Sequence, residues 1–368
     1  MMHKIPIFKL HYDESDRVRL QDGMKEILED GYLTNHRFVR QFETEFANWN
    51  NSKFALAVSN GTTALEVILR GIDVRGREVI LPANTFIACA VAVLNAGGIP
   101  VICDIELDYL SLNPQKVKEK INRNTAALIT VHIGGIISPY IEQLKQICAD
   151  HNCFLVEDCA HAHGASLNGV RAGNFGVAGA FSFHMTKVMT TGEGGMVVTG
   201  DESLAKKIES IRQFGKSDEQ PLMHVRDGGN FKMTEMQGLF GTVELKRVES
   251  RIARRKKIAS IYDELLKNTD WKTYVSAPQS ECPYYKKIIL SPVARSLIET
   301  EFSKRNISLT GGVYYFPLNK QTALKQFVRD EYPNANYFSE NHICPPCYPE
   351  LADEEAVLIC KTLLSISN

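Results

Sequence analysis

The sequence predicts an α/β protein in which a mostly parallel sheet lies between helices and is followed by a smaller C-terminal α+β domain. Three observations lead there. Across the first two-thirds, short apolar runs of strand length alternate with segments whose apolar residues recur at helical spacing. After about residue 235 this alternation gives way to one long helical stretch and then to mixed short elements. The 368 residues also exceed what one compact core usually holds, so two domains are expected, 1–245 and 246–368.

FALAVS (54–59) is the first strand, and TTALEVILRGI after it carries Ala64, Leu65, Ile68, Leu69 and Ile72 at helical spacing. EVILPA leads into the helix-like TFIACAVAVLNAG, and IPVICDI follows a glycine pair. NTAALITVHI precedes IEQLKQICADHN, whose Ile141, Leu144 and Ile147 share a face. CFLVED, AGAFSFH and GGMVVTG are three further apolar runs separated by polar, glycine-rich turns. Runs this apolar belong to strands buried on both faces. MTEMQGLFGTVELKRVESRIARRKKIASIYDELLK reads as one long helix or two joined ones, with RIARRKK as a solvated face rather than a nucleic-acid site.

Composition narrows the function classes. With 44% apolar and 23% charged residues and a formal charge of −1, the chain has no electrostatic drive toward nucleic acid or an acidic membrane. No apolar stretch reaches the roughly 18 residues of a membrane span. The N-terminal stretch lacks the long apolar run of a secretory signal. Nine cysteines, odd in number and scattered, form no disulfide framework and point to a reducing cytoplasm. Cys344-Pro-Pro-Cys347 has no second pair to complete a zinc site, so these cysteines read as structural.

In an open α/β sheet, ligands sit beyond the carboxyl ends of the strands. After FALAVS comes Asn60-Gly61-Thr62-Thr63, opening a helix. Free N–H groups and hydroxyls there suit a phosphate, although an ordinary N-cap has the same composition. After CFLV come Glu157 and Asp158, where an acid can cap a turn or hold a protonated heteroaromatic nitrogen. His161 and His163 follow, but no third ligand at a recognisable spacing makes them a metal site, and none is expected. After AGAFSFH comes Lys187, then Gly192, Gly194 and Gly195. A lysine in such a place is usually solvated; the alternative is a buried amine kept for covalent chemistry with a carbonyl. The fingerprint G-x-G-x-x-G is absent in its strand–turn–helix setting, which disfavours a nicotinamide enzyme. Phosphate cradle, acid and lysine at successive strand ends describe one cofactor, pyridoxal phosphate.

FETEFANW, AVSNGTTALEVIL, REVILPANTFIACAVAV, VEDCAHAHGA, GAFSFHMTKVMTTGEGGMVV and NFKMTEMQGLFGTVELKR occur in this order. Together they resemble the DegT/DnrJ/StrS family of pyridoxal-phosphate sugar aminotransferases, fold type I, over nearly the full length. The resemblance implies that Lys187 forms the Schiff base and that Asp158 pairs with the pyridinium nitrogen. It implies that Gly61, Thr62 and Ser182 bind the phosphate, that Phe86 stacks on the ring, and that His161 stands by the ring hydroxyl. Asn230, in GGNFKMTE, would reach the phosphate of a neighbouring subunit, implying a homodimer with composite sites.

The chain departs from the family at three points. His161 stands where glutamine is usual, which would make hydrogen bonding there pH-sensitive. Val131–Gly135, VHIGG, lacks the ring of the usual VHLYG and would leave more room. His36-Arg37 replaces a Gly-Pro near the substrate loop and could meet an acidic substrate, with surface exposure as the plain alternative. His184 and Tyr315 complete the candidate substrate contacts. The expected activity is transfer of an amino group from an amino acid, L-glutamate, to a nucleotide-linked keto-deoxyhexose. The product would serve surface polysaccharide or a glycosylated metabolite. Alternatives are a cyclitol or 2-ulosonic acid acceptor, a sugar dehydratase, against which the lysine argues, and a non-enzymatic cofactor-binding regulator.

Overall fold

A computed structural model, describing residues 4–220, 222–309 and 312–367, gathers the apolar runs into one seven-stranded sheet. Two helices precede it, α1 (Glu14–Asp30) and α2 (Arg37–Trp49). Strands and helices then alternate as β1 (Phe54–Val58), α3 (Gly61–Gly71), β2 (Glu78–Pro82), α4 (Ala88–Asn95) and β3 (Ile99–Cys103). They continue as α5 (Pro114–Lys120), β4 (Thr125–Val131), α6 (Ile141–Asp150) and β5 (Phe154–Asp158). A small hairpin, β6 (Ser166–Leu167) and β7 (Val170–Arg171), precedes β8 (Ala178–Ser182), β9 (Gly195–Thr199) and α7 (Glu202–Ile211).

The strand order is β1-β9-β8-β5-β4-β2-β3. β9 runs antiparallel to both its neighbours, and every other adjacent pair is parallel. The link from β8 to β9 carries the lysine loop in place of a crossover helix, so β9 returns in the opposite direction. Helices cover both faces. Leu65, Ile68 and Val93 from α3 and α4 pack on one side, and Phe42, Phe46, Leu144 and Ile147 from α2 and α6 on the other.

One uninterrupted helix, α8 (Glu235–Leu266), opens with a capping box between Thr234 and Gln237. Position 245/246, where the sequence places the domain boundary, lies inside it. Its first half packs on α2 and its second half joins a separate core, in which Ile258 and Tyr262 meet Trp271, Phe302 and Leu363. After it come β10 (Lys272–Thr273), β11 (Ser280–Glu281), β12 (Ile289–Leu290), α9 (Arg295–Lys304), α10 (Pro333–Asn341), β13 (His342–Ile343) and α11 (Asp353–Ser367). β12, α9, β13 and α11 contribute to that core, whereas Ala335 and Phe338 of α10 pack into the core around the large sheet. The order β10-β12-β13 forms a small antiparallel sheet, while β11 pairs with β6.

The RIARRKK cluster is not the solvated face the sequence suggests. Arg251 and Arg255 are buried. Arg251 donates to Glu350 (3.0 Å), Arg255 to the Cys347 carbonyl (2.5 Å), and Arg254 to Asp353 (2.5 Å) and the Pro349 carbonyl (3.2 Å). Guanidinium groups leave water only when paired, and their partners lie about a hundred residues downstream. All nine cysteines are free thiols; Cys344 and Cys347 are buried in the packing of this region. Among the described residues no helix is long and apolar enough to cross a membrane.

Candidate active site

The carboxyl ends of β1, β2, β5 and β8 open on a cavity of about 700 Å³. Gly61, Thr62, Phe86, Asp158, His161, Ser182, His184 and Lys187 all line it, so eight of the residues singled out in the sequence are brought together.

Gly61 begins α3 directly against the end of β8. A Cβ at this position would lie 2.6 Å from Cβ of Ser182, so only glycine allows the approach. Asn60 caps the helix by accepting from the Thr63 N–H (2.9 Å). The first-turn N–H groups and the buried Ser182 hydroxyl thus face the cavity as an anion cradle.

Glu157 and Asp158 sit side by side on β5 and point to opposite faces. Glu157 is fully buried and accepts from the N–H groups of Gly173 (2.8 Å), Phe175 (2.7 Å) and Gly176 (2.8 Å), with His132 Nε2 2.9 Å away. Its work is to hold the turn before β8. His132, Glu157 and Cys159 converge closely enough to hold a metal, but the Glu157 oxygens are already engaged by those donors. Asp158 faces the cavity. Its Oδ1 accepts from the Ala160 N–H (2.9 Å) and its Oδ2 from the Cys89 thiol (3.1 Å). Burial and the adjacent Asp158 push the Cys89 thiol well above its ordinary range, so it remains a donor.

Lys187 follows β8 in a turn closed by its own N–H donating to the His184 carbonyl (2.9 Å). It is partly buried rather than buried, because its ammonium lies on the cavity wall over the Tyr285 ring, 4.7 Å from the centroid. His184 stays beside it, with Nδ1 3.1 Å from Thr186 Oγ1. Thr186 Oγ1 in turn lies 3.2 Å from the Tyr285 hydroxyl.

His161 is buried and stacked on Tyr285 at 4.2 Å. The Gly134 N–H donates to its Nδ1 (3.3 Å), which leaves the ring proton on Nε2, facing the Tyr314 hydroxyl (3.3 Å). Burial first, then the charges of Lys187 and Lys286, hold its pKa well below the ordinary histidine value. The pH sensitivity expected of this residue is therefore absent near neutrality, because the imidazole stays neutral.

Three expectations change. The VHIGG stretch leaves no extra room: a Cβ on Gly134 would meet Ile288 at 2.8 Å and one on Gly135 would meet Pro283 at 2.7 Å. Tyr315 is not on the cavity wall; its ring lies under Arg295 (3.5 Å) and against His342. Its neighbour Tyr314 lines the cavity instead, at a positive φ of 74°, stacked on Phe86 at 6.0 Å. His36 and Arg37 also lie away from this cavity. The His36 N–H donates to Glu235 (2.7 Å), which anchors the start of α2 together with the Phe38 N–H (2.6 Å). The His36 ring stacks on Tyr32, and Arg37 pairs with Glu26 of α1.

Asn230 is exposed, accepts from Lys232 (2.5 Å) and does not line its own chain's cavity. Sequence reasoning missed Cys89, Tyr285, Lys286 and Tyr314. Three of these come from beyond α8, where no strand-end position marks them.

An anion cradle, a carboxyl group, a stacking ring and an amine in one cavity suit a phosphorylated pyridine aldehyde, and each has one distinct function to serve. Comparison with known proteins agrees. The model of the DegT/DnrJ/EryC1/StrS aminotransferase family matches residues 14–364. The GDP-perosamine synthase of Vibrio cholerae is 30% identical over 371 residues, 99% of each chain. The L-glutamine:2-deoxy-scyllo-inosose aminotransferase of Streptomyces kanamyceticus is 31% identical over 297 residues, covering 76% of this chain and 69% of that one. Spr1654 from Streptococcus pneumoniae, solved in its PLP form, superposes with a TM-score of 0.91 at 27% identity over 99% of each chain. The likeness runs over nearly the whole chain, and on it the chain belongs to the DegT/DnrJ/EryC1/StrS aminotransferase family.

Proposed function

We propose that this aminotransferase takes its amino group from L-glutamate and delivers it to a nucleotide-linked keto-deoxyhexose, for a polysaccharide or a glycosylated metabolite. The observation that carries the reading is the meeting of Gly61, Thr62, Ser182, Asp158 and Lys187 in one cavity. Pyridoxal phosphate, when bound, supplies an aldehyde to receive the amino group and a ring to hold electrons released at the substrate carbon. The first turn of α3 and Ser182 hold the phosphate. Asp158 keeps a proton on the ring nitrogen, and Phe86 confines the ring. Lys187 would be the residue that holds the cofactor through its aldehyde, and its amine would serve as the base for the proton on the donor's α-carbon. His161, just after β5, and Tyr314, from beyond α8, would orient the cofactor's ring hydroxyl.

A homodimer belongs to this reading. Asn230 lies outside its own cavity, a few residues along the chain from the exposed apolar side chains Leu222 (95%), Met223 (54%) and Val225 (53%). A second copy covers them and receives Asn230 at its cofactor phosphate. Nine free thiols support a cytoplasmic setting. The likeness to the 2-deoxy-scyllo-inosose enzyme supports a cyclitol acceptor as a second reading.

The test uses colour. Purified protein should be yellow, bleach with L-glutamate, and regain colour only with a matching keto acceptor. Screening nucleotide keto sugars beside keto cyclitols separates the two readings. Protein that never binds pyridoxal phosphate would contradict both.

A further inference from the structure

Two ammonium groups lie near one ring in the cavity. Lys187 Nζ lies 4.7 Å from the Tyr285 centroid and Lys286 Nζ lies 5.5 Å from it. Lys187 has a role in the reading above, and Lys286 has none. The neighbouring Lys287 is fully buried and committed to structure, donating to Asp263 (2.5 Å) and to the Tyr274 carbonyl (3.0 Å). Lys286 is partly buried on the cavity wall, and among the described residues no carboxylate pairs with it.

The cavity's acids are engaged elsewhere. Asp158 accepts from Cys89 and Ala160, and Glu66 accepts from Arg70 (2.9 Å) and Asn95 (3.0 Å). Glu193 lies 4.0 Å from His184. His161, held neutral, adds no competing cation. The cavity therefore presents one uncompensated ammonium besides the one reserved for the aldehyde. In a partly desolvated site such a group gains most when an anion arrives to pair with it.

We propose that Lys286 binds the α-carboxylate of the amino-acid donor; this rests on the aminotransferase reading above. The α-carboxylate is two bonds from the nitrogen that reacts, so its binding group must stand beside the reactive lysine. Sharing the Tyr285 ring puts Lys286 there. The phosphates of a nucleotide sugar are separated from the reacting carbon by the hexose ring and fit the position less well. L-Glutamate and L-glutamine both carry the α-carboxylate, and the assignment holds for either donor.

The experiment compares wild-type holoenzyme with Lys286→Met and Lys286→Arg. Bleaching by L-glutamate and by L-glutamine gives KM and the limiting rate of the donor half-reaction. Calorimetry with glutarate, an unreactive dicarboxylate, gives equilibrium affinity without turnover. Lys286→Met should raise both donor KM values and weaken glutarate by about ten- to a hundredfold, the scale of one charge-assisted hydrogen bond. The limiting rate should change less than KM, and Lys286→Arg should recover most of the loss. The amino-sugar product, which drives the reverse half-reaction without a carboxylate, should keep its KM. Unchanged donor KM and glutarate affinity in Lys286→Met would overturn the proposal. So would a loss confined to the nucleotide sugar, which assigns Lys286 to phosphate, or to a 2-ulosonic acid acceptor, which assigns it to that acid. Wild-type holoenzyme that no amino acid bleaches would instead overturn the aminotransferase reading, a failure visible before any variant is made.

Discussion

The thiol of Cys89, on α4, lies 3.1 Å from Oδ2 of Asp158, at the end of β5. Thr85 Oγ1 is 3.1 Å from the same sulfur. With the Ala160 N–H on Oδ1, this fixes the carboxyl group from two sides and leaves its remaining lone pairs for the cavity. A buried thiol pushed well above its ordinary pKa donates throughout the working pH range.

Removing that donor should loosen the carboxyl group without emptying the site. Cys89→Ala should lower kcat by about tenfold, whereas Cys89→Ser, which keeps a donor, should stay within about threefold of wild type. Absorbance spectra of both variants should show retained cofactor. Equal losses in the two would assign the effect to packing rather than to the hydrogen bond.

Asp158→Asn should retain bound cofactor and lose most turnover, because a neutral amide cannot keep the ring nitrogen protonated. A loss of about a hundredfold or more in kcat is expected, in line with a role in stabilising developing charge. Comparable turnover in the variant would remove Asp158 from the chemistry.

Acid should destabilise the fold through two buried neutral histidines. His342 donates from Nδ1 to the Phe338 carbonyl (2.7 Å) and accepts at Nε2 from the Val313 N–H (2.9 Å), leaving no place for a second proton. Burial lowers both His163 and His342 to about 3. The unfolded chain binds these protons below about pH 6.5, so stability falls as pH drops through that value toward 3. Each histidine contributes a loss of about 1.4 kcal/mol per pH unit within the window. Calorimetric midpoints at pH 7, 6 and 5 should decline, with net proton uptake on unfolding. A flat midpoint, or proton release, would contradict this.

How much was readable before folding depended on where each residue's partners lie. Gly61, Asp158, Ser182 and Lys187 are legible because each stands at or just beyond the carboxyl end of a strand, where ligands of an open sheet bind. Glu157 was visible as an acid, but only its three loop N–H donors separate it from Asp158 in role. Lys286 and Tyr314 come from segments whose strands, such as β12, are two residues long and have no period to read. Tyr315 is the candidate the sequence offers, whereas its neighbour Tyr314, in a left-handed turn, lines the cavity. The arginines of RIARRKK looked solvated because their partners, Cys347, Glu350 and Asp353, are remote in sequence.

The homodimer with composite sites proposed above has a complementation test. Lys187→Ala and Asn230→Ala chains should each form poorly active dimers. Mixed and allowed to exchange, they should recover substantial activity, since each heterodimer holds one site with neither change. No recovery despite demonstrated exchange would keep Asn230 out of the partner's site.

Lys187 is the amine proposed to hold the cofactor, in a cavity that offers a second lysine, Lys286, near the same Tyr285 ring. Borohydride reduction of the yellow holoenzyme, followed by proteolysis and mass mapping, fixes the bond and names the residue. The pyridoxyl label is expected on Lys187 in the peptide that contains SFHMTK, with no label in Lys187→Ala. Label on Lys286, or on any other lysine of the wild-type protein, would contradict it.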